Sequence, residues 1–315
     1  MTISPPAQPP TPPTSAPTIA DAELALVPGA EPVARSNWQL FRRRFLRHKL
    51  AVVAILILLV LIVACFGAGW LAPYPKNQTN LLITPGGPSA KHWFGTNPLG
   101  QDMLTQVMYG GQISLKIGLA VAFISTMVGV FVGALAGYYG GWIDQGLSRF
   151  TDLFLIVPEL AILGVAIQRL GRTDNAFIIV LAGLGWMYIA RVVRGQVLSV
   201  KEKEFIEAAR AAGASSRRII VRHILPNCIG PIMVNATLAI AAAVIAESTL
   251  TYLGLGLQPP DTSWGILLNQ AESAVTSTST FYLVLFPGLM LILTVLAVNF
   301  LGDGLRDAFD PRSEH

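Results

Sequence analysis

Residues 50–70 read LAVVAILILLVLIVACFGAGW, an unbroken apolar run without a charged side chain. About 20 such residues make a helix long enough to cross a bilayer. In lipid every backbone N–H and C=O must be bonded within its own segment, so such a run can only be helical. Further apolar runs follow it. The composition agrees: 53% of residues are hydrophobic and 13% charged, where ordinary globular domains carry about 25% charged residues. The mean hydropathy is +0.57. These features predict an all-α membrane protein with six transmembrane helices, at about 50–70, 113–137, 151–170, 175–193, 227–247 and 281–301 of a membrane domain covering 50–305.

The flanks fit that reading. Residues 1–36 are rich in Pro, Ala, Ser and Thr and cannot bury enough apolar surface to offset their ordering entropy, so a disordered Pro-rich tail is expected. They lack the basic start and apolar stretch of a signal peptide. Residues 37–49 form a basic segment with Arg42, Arg43, Arg44, Arg47, His48 and Lys49, which places the N-terminus in the cytoplasm. In the second span, Gly118, Gly129, Gly133 and Gly137 would let helix backbones approach closely. Residues 138–150 read as a short loop, Pro158 as a kink in the third span, and Pro231 and Asn235 interrupt the fifth run. Glu159 lies within the third span, and an intramembrane carboxylate is a functional candidate. A short cytoplasmic tail, 306–315, ends the chain.

Charge fixes the expected topology. No Lys or Arg occurs between His223 and Leu305, whereas Arg191, Arg194, Lys201, Lys203, Arg210, Arg217, Arg218 and Arg222 crowd one segment. Six spans starting from a cytoplasmic N-terminus put 195–226 inside, 248–280 outside and the C-terminus inside, as the positive-inside bias requires. Arg169 and Arg172 stand against that bias.

The one long polar stretch in the second half is KEKEFIEAARAAGASSRRIIVRHILP, residues 201–226. As a helix it places Phe205, Ile206, Ala209 and Ala212 on one side and Lys203, Glu204, Glu207 and Arg210 on the other. Gly213 falls where a helix end wants a left-handed residue. Ser215 or Ser216 can cap a second helix carrying Ile219, Ile220 and Ile224, which Pro226 stops or kinks. Periodicity leaves open whether the first helix lies on a membrane surface or docks on a protein.

Catalytic motifs are missing from the sequence. It has no G-x-x-x-x-G-K-[ST], H-E-x-x-H or G-x-S-x-G. Cys65 and Cys228 read as small buried hydrophobes, and the four histidines lack ligand-like spacing. Basic residues flank apolar runs and form no stripe, which argues against a nucleic-acid partner.

Glu207-Ala208-Ala209, Gly213 and Leu225-Pro226 resemble the EAA motif of ABC-importer permeases, in which three residues separate EAA from Gly and nine more precede I-x-L-P. His223 stands where the general motif has Ile, as it does in the peptide-importer branch. Three more stretches resemble the dipeptide/oligopeptide permeases. The first holds His92-Trp93-Phe94-Gly95-Thr96, Gly100, Asp102, Tyr109-Gly110 and Ser114-Leu115, with Asn97 and Gln101 replacing the family's Asp and Arg. The second holds Asp144, Arg149, Asp152 and Pro158. The third holds Glu247, Leu253 to Gly256, Gln258-Pro259-Pro260 and Ser263-Trp264-Gly265.

The resemblance implies a type I ABC importer permease fold in the cell inner membrane. It implies a coupling helix at 201–213 that docks on an ATPase through Phe205, Glu207, Ala208, Ala209, Arg210 and Gly213, with His223, Leu225 and Pro226 behind it. Glu207 would anchor the helix electrostatically and Gly213 would form its elbow. An extracellular loop at 248–280 would flank the substrate path and meet a binding protein through Glu247, Gly254, Gly256, Gln258, Pro259 and Trp264. The implied partners are a homologous sister permease in a heterodimer, one or two ABC ATPase subunits, an extracytoplasmic substrate-binding protein and membrane lipid. The chain itself would be non-catalytic and hold no cofactor, with ATP and Mg bound by the ATPase. Peptides are the implied cargo; nickel complexes, glutathione or another small cargo are the alternative. An ion-coupled secondary carrier would want paired midplane carboxylates and internal repeats, for which Glu159 alone is a poor substitute.

Overall fold

The computed structural model describes residues 37–81, 85–272 and 280–309. The Pro-rich segment 1–36, residues 273–279 of the expected outer loop and residues 310–315 of the expected tail lie outside the described residues. Among those described, regular structure is helical apart from one isolated antiparallel bridge, Thr96 to Asp102. In order come α1 (Asn37–Arg47), α2 (Lys49–Phe66), α3 (Met103–Tyr139), α4 (Gly141–Ile156), α5 (Glu159–Leu170) and α6 (Asp174–Lys201). Then follow α7 (Glu204–Ala211), α8 (Ser216–Ile219), a π-helical turn (Ile220–Ile224), α9 (Ile229–Tyr252), α10 (Trp264–Glu272) and α11 (Tyr282–Phe309). Five helices, α2, α3, α6, α9 and α11, are each long and apolar enough to cross a membrane. The pair α4–α5 is apolar enough to make a sixth span if taken together, but it is bent by 82° at the break between the two helices.

Several boundaries differ from the sequence expectation, each for a local reason. Helix α3 starts at Met103, not near residue 113, because Asp102 accepts from the Thr105 backbone N–H at 2.8 Å and from its hydroxyl at 2.9 Å. The expected loop at 138–150 is mostly helix α4. Pro158 does more than kink the third span: Val157 is driven into extended backbone before it, and the helix breaks. Helix α6 runs on through Arg191 and Arg194 to Lys201. Pro231 does not interrupt α9 because it sits in the first turn, where its missing N–H had no intrahelical acceptor. Helices α9 and α11 continue to Tyr252 and Phe309, beyond their expected ends.

Close backbone approach organises the bundle. Helices α3 and α6 run side by side in the same direction, from a Lys116–Asp174 ion pair of 2.6 Å to the meeting of Gly137 with Val197. A Cβ placed on Gly129 would stand 2.7 Å from Ile189 Cβ, one on Gly133 2.5 Å from the Ala190 carbonyl oxygen, and one on Gly137 2.9 Å from that of Arg194. On another face, Gly118 meets Val244 of the antiparallel α9. Small residues at these positions are what helix association in lipid requires, since burial from water does not drive it there.

The core falls into three clusters. One, holding Tyr138, Val197, Ile206 and Ile224, lies where α3 and α6 end and α9 begins. A second, holding Met103, Leu115, Trp264 and Tyr282, lies where α3 and α11 begin. Phe177, Leu181, Leu163 and Ala243 fill the space between α3, α5, α6 and α9. Gly304 of α11 abuts Ala51 and His48, and Phe309 abuts Gly230. The start of α2, the start of α9, the end of α11 and the segment 201–226 therefore share one end of the molecule.

Replacing Gly133 by Ala or Val should cost about 1–3 kcal/mol through overpacking against backbone. Gly146→Ala, whose new Cβ meets nothing within 4 Å, should be neutral. Unfolding temperatures in detergent check both; an unchanged Gly133→Val protein would contradict the seam.

Candidate functional site

Segment 201–226 folds as helix, elbow, helix, but more compactly than the sequence suggests. Lys201 is the last residue of α6, and the amphipathic helix proper is Glu204–Ala211, not 201–213. Its C-terminus closes through two bonds: Gly213 N–H to the Arg210 carbonyl at 3.0 Å, and Ala214 N–H to that of Ala209 at 3.1 Å. This is the Schellman arrangement, which needs a left-handed residue, and Gly213 has φ +78°. Nothing lies within 4 Å of a Cβ at that position. The glycine is therefore required by conformation and not by space. Ser215 caps α8, accepting from the Arg218 N–H at 3.4 Å. Pro226 has no N–H to return to Arg222, and the preceding turn widens to a π-helix, which accommodates the proline without ending the helix.

Burial divides the first helix in a way periodicity does not. Ile206 is fully buried among Val197, Val200, Ile219 and Ile224, Ala209 is half-buried, and Phe205 and Ala212 are exposed. Phe205 and Ala212 thus do not share the inner side with Ile206, because a two-turn helix touches the core at essentially one side chain. Burying an isoleucine contributes about 1.5–3 kcal/mol, which anchors the helix at a point. Outward, Phe205, Ala208 and Ala212 form an exposed apolar stripe at i, i+3, i+7 spacing, beside Glu204 and Glu207. Neither Glu207 nor Arg210 is paired with another described residue. Acidic groups beside the stripe suit a protein partner better than anionic lipid. His223 and Leu225 are half-buried and Pro226 is exposed behind this surface; the Asn227 amide donates to the His223 carbonyl at 2.7 Å.

Two ion pairs that the sequence did not reveal hold α4 against α6. Arg191 pairs with Asp152, and Arg194 meets both carboxylate oxygens of Asp144. The bidentate fork gives the second pair a fixed geometry. Both arginines stand on the helix that leads directly into the elbow.

At the opposite end, the stretch following α9 folds back into the bundle. Glu247 is fully buried and accepts from the hydroxyls of Ser114 at 3.0 Å, Ser248 at 3.2 Å and Thr251 at 3.1 Å. The Trp264 backbone N–H donates to the Ser114 hydroxyl at 3.3 Å, and its indole N–H to the Val107 carbonyl at 2.9 Å. Trp264 is fully buried and Gly256 buried, whereas Gly254, Gln258 and Pro259 are exposed. Glu247, Gly256 and Trp264 therefore lock α10 onto α3 and α9, while the other three lie at the surface. Nearby, Asn97 and Gln101 pair as neutral amides, Asn97 Nδ2 donating to Gln101 Oε1 at 2.8 Å. His92 Nδ1 lies 2.9 Å from Asp102 Oδ1, so the cap of α3 is also a partner for the preceding segment.

Known proteins match along most of the chain. Residues 129–315 match the family model described as binding-protein-dependent transport system inner membrane component, and residues 36–85 match that of the N-terminal TM domain of oligopeptide transport permease C. The oligopeptide transport system permease protein OppC of Mycobacterium tuberculosis (strain H37Rv) is 45% identical over 275 residues, covering 86% of this chain and 93% of its own. That of Haemophilus influenzae is 39% identical, covering 88% of this chain and 89% of its own. A putative peptide permease protein of Brucella suis is 39% identical, with 90% and 92% covered. Among solved structures, a chain of the inward-facing MetNI methionine ABC transporter aligns with TM-score 0.55 at 22% identity, covering 66% of this chain and 98% of that one.

Replacing Gly213 by Val should cost more than about 1–2 kcal/mol locally, the left-handed penalty for a residue with a Cβ. Gly213→Asn, which tolerates that conformation, should be mild. Limited proteolysis at the elbow checks this: cleavage should accelerate in the Val variant and stay near wild type in the Asn variant.

Proposed function

This chain belongs to the binding-protein-dependent transport system inner membrane components, multi-pass permeases of the cell membrane, and on that premise we propose that it is one half of the translocation path of an ATP-driven peptide importer. The observation that carries the reading is the elbow. It presents an outward stripe of Phe205, Ala208 and Ala212 with the unpaired Glu207, held to the bundle by Ile206 and shaped by Gly213. A surface of this kind suits a groove on a soluble ABC ATPase, where Glu207 finds a basic partner.

The remaining assignments follow from this one. The elbow end is cytoplasmic: the basic cluster Arg42, Arg43, Arg44 and Arg47 precedes α2 at that same end, in keeping with the charge bias. ATP and Mg belong to one or two ATPase subunits, and this chain carries out no hydrolysis. A homologous sister permease supplies the other half of the path. At the outer end, Gly254, Gln258 and Pro259 are the exposed residues offered to a substrate-binding protein.

The geometry suggests how force passes. Helix α6 is continuous for 28 residues, about 42 Å at the rise of an α-helix, and ends at the elbow. Movement of a docked ATPase would tilt α6, and the Arg191–Asp152 and Arg194–Asp144 pairs would carry α4 with it. Coupling of this kind requires that nucleotide and cargo favour different states of the bundle.

Reconstitution with sister permease, ATPases and binding protein in proteoliposomes tests the reading. ATP-dependent accumulation of a labelled peptide is expected. Glu207→Arg should reduce uptake at least tenfold with the permease still folded. Uptake that proceeds without ATP, driven by a proton or sodium gradient, would overturn the importer assignment.

A further inference from the structure

Glu159 opens α5 immediately after the break at Pro158 and has no hydrogen-bond or ion-pair partner among the described residues. Glu159 lines a cavity of about 360 Å³ together with Val121 and Ser125 of α3, Gly185 and Tyr188 of α6, and Asn235 and Ala242 of α9. Val121 and Tyr188 lie at the middle of their helices, so the cavity sits about half-way through the bundle. A second cavity, of about 300 Å³, runs along Phe154, Pro158, Ile162 and Leu184 and shares Glu159. Glu159 thus borders two spaces.

The polar lining is acceptor-rich. The Asn235 amide nitrogen donates to the Pro231 carbonyl at 2.8 Å, which leaves its carbonyl oxygen for a ligand. The exposed Tyr188 hydroxyl can accept as well. The two arginines of α6 are not free to answer Glu159, because Asp152 and Asp144 already engage Arg191 and Arg194. An unpaired carboxylate at membrane depth is costly unless it meets water or a cation, and such groups mark transport paths. A primary ammonium offers three N–H donors on a compact charge, which suits a cavity lined by three acceptor-bearing residues.

We infer that Glu159, with Asn235 and Tyr188, forms a transient site for the cationic amino terminus of the cargo peptide as it crosses the membrane. This rests on the peptide-importer reading. The cavity matches the small end of ligand pockets and so holds the terminal residue, not a whole oligopeptide.

The test uses the complete reconstituted transporter and a labelled tripeptide with a free amino terminus. Glu159→Gln should lower its uptake about tenfold, the loss of one charge-assisted hydrogen bond, while ATP hydrolysis and recovery of the sister chain stay at wild-type level. Glu159→Cys supplies a second variant: modification with an anionic sulfonate thiol reagent should restore uptake, and a neutral methyl thiol reagent should not. Wild-type uptake in Glu159→Gln, or equal restoration by both reagents, would overturn the inference and leave the importer reading standing. Loss of the sister chain from Glu159→Gln preparations would overturn it too, assigning the carboxylate to a contact between permeases. A wild-type transporter that accumulates no peptide with ATP would instead reject the importer reading and the inference with it.

Discussion

The seam between α3 and α6 is the constraint on which the rest of the molecule depends. Membrane helices gain nothing from leaving water when they meet, so their association rests on van der Waals contact at short range. Gly129, Gly133 and Gly137 remove the side chains that would separate the two backbones. Because the helices run parallel, the seam continues to the end of α6 and holds it firm where the elbow begins. In the proposed importer, this continuous α6 would carry an event at Glu207 toward the middle of the bundle.

The two ends of the bundle solve different problems. At the elbow end, one buried side chain, Ile206, and one left-handed glycine, Gly213, present a small helix whose outer face is left unsatisfied. A point anchor leaves the rest of this short helix at the surface. At the other end, Glu247 gathers hydroxyls from its own helix and from α3, and Trp264 is pinned at both its backbone and its indole nitrogen. Satisfied buried polar groups fix geometry strongly because any displaced member costs its full desolvation. That end reads as the stiff one, with Gly254, Gln258 and Pro259 among the described residues left at its surface.

Much of this was legible beforehand. The apolar runs located the spans, the glycine pattern of the second run anticipated the α3 seam, and Gly213 was recognisable as a helix end. What escaped were relations between distant residues. Arg191 and Arg194 mark the expected end of the fourth span because arginines rarely enter lipid; their partners are some 40–50 positions away, Asp144 in what read as a loop and Asp152 at the start of the expected third span. The early start of α3 was masked because residues 103–112 are too polar and glycine-rich to look like a span, although Asp102 carried a recognisable cap. Phe205 was misplaced because periodicity over a two-turn helix cannot say which apolar stripe meets the core. Asn97 and Gln101 read only as departures from the family's Asp and Arg; the structure shows that the two amides hydrogen-bond to each other.

The central claim is that the outer face of Glu204–Ala211 docks on an ATPase. A photo-crosslinking amino acid at Ala208, which is exposed beside Glu207, and another at Leu56, exposed on α2, would be irradiated in native membranes and the adducts identified by mass spectrometry. The account predicts that Ala208 captures an ATP-binding subunit and that Leu56 does not. Adducts from Ala208 that contain only lipid, with the transporter intact, would contradict it.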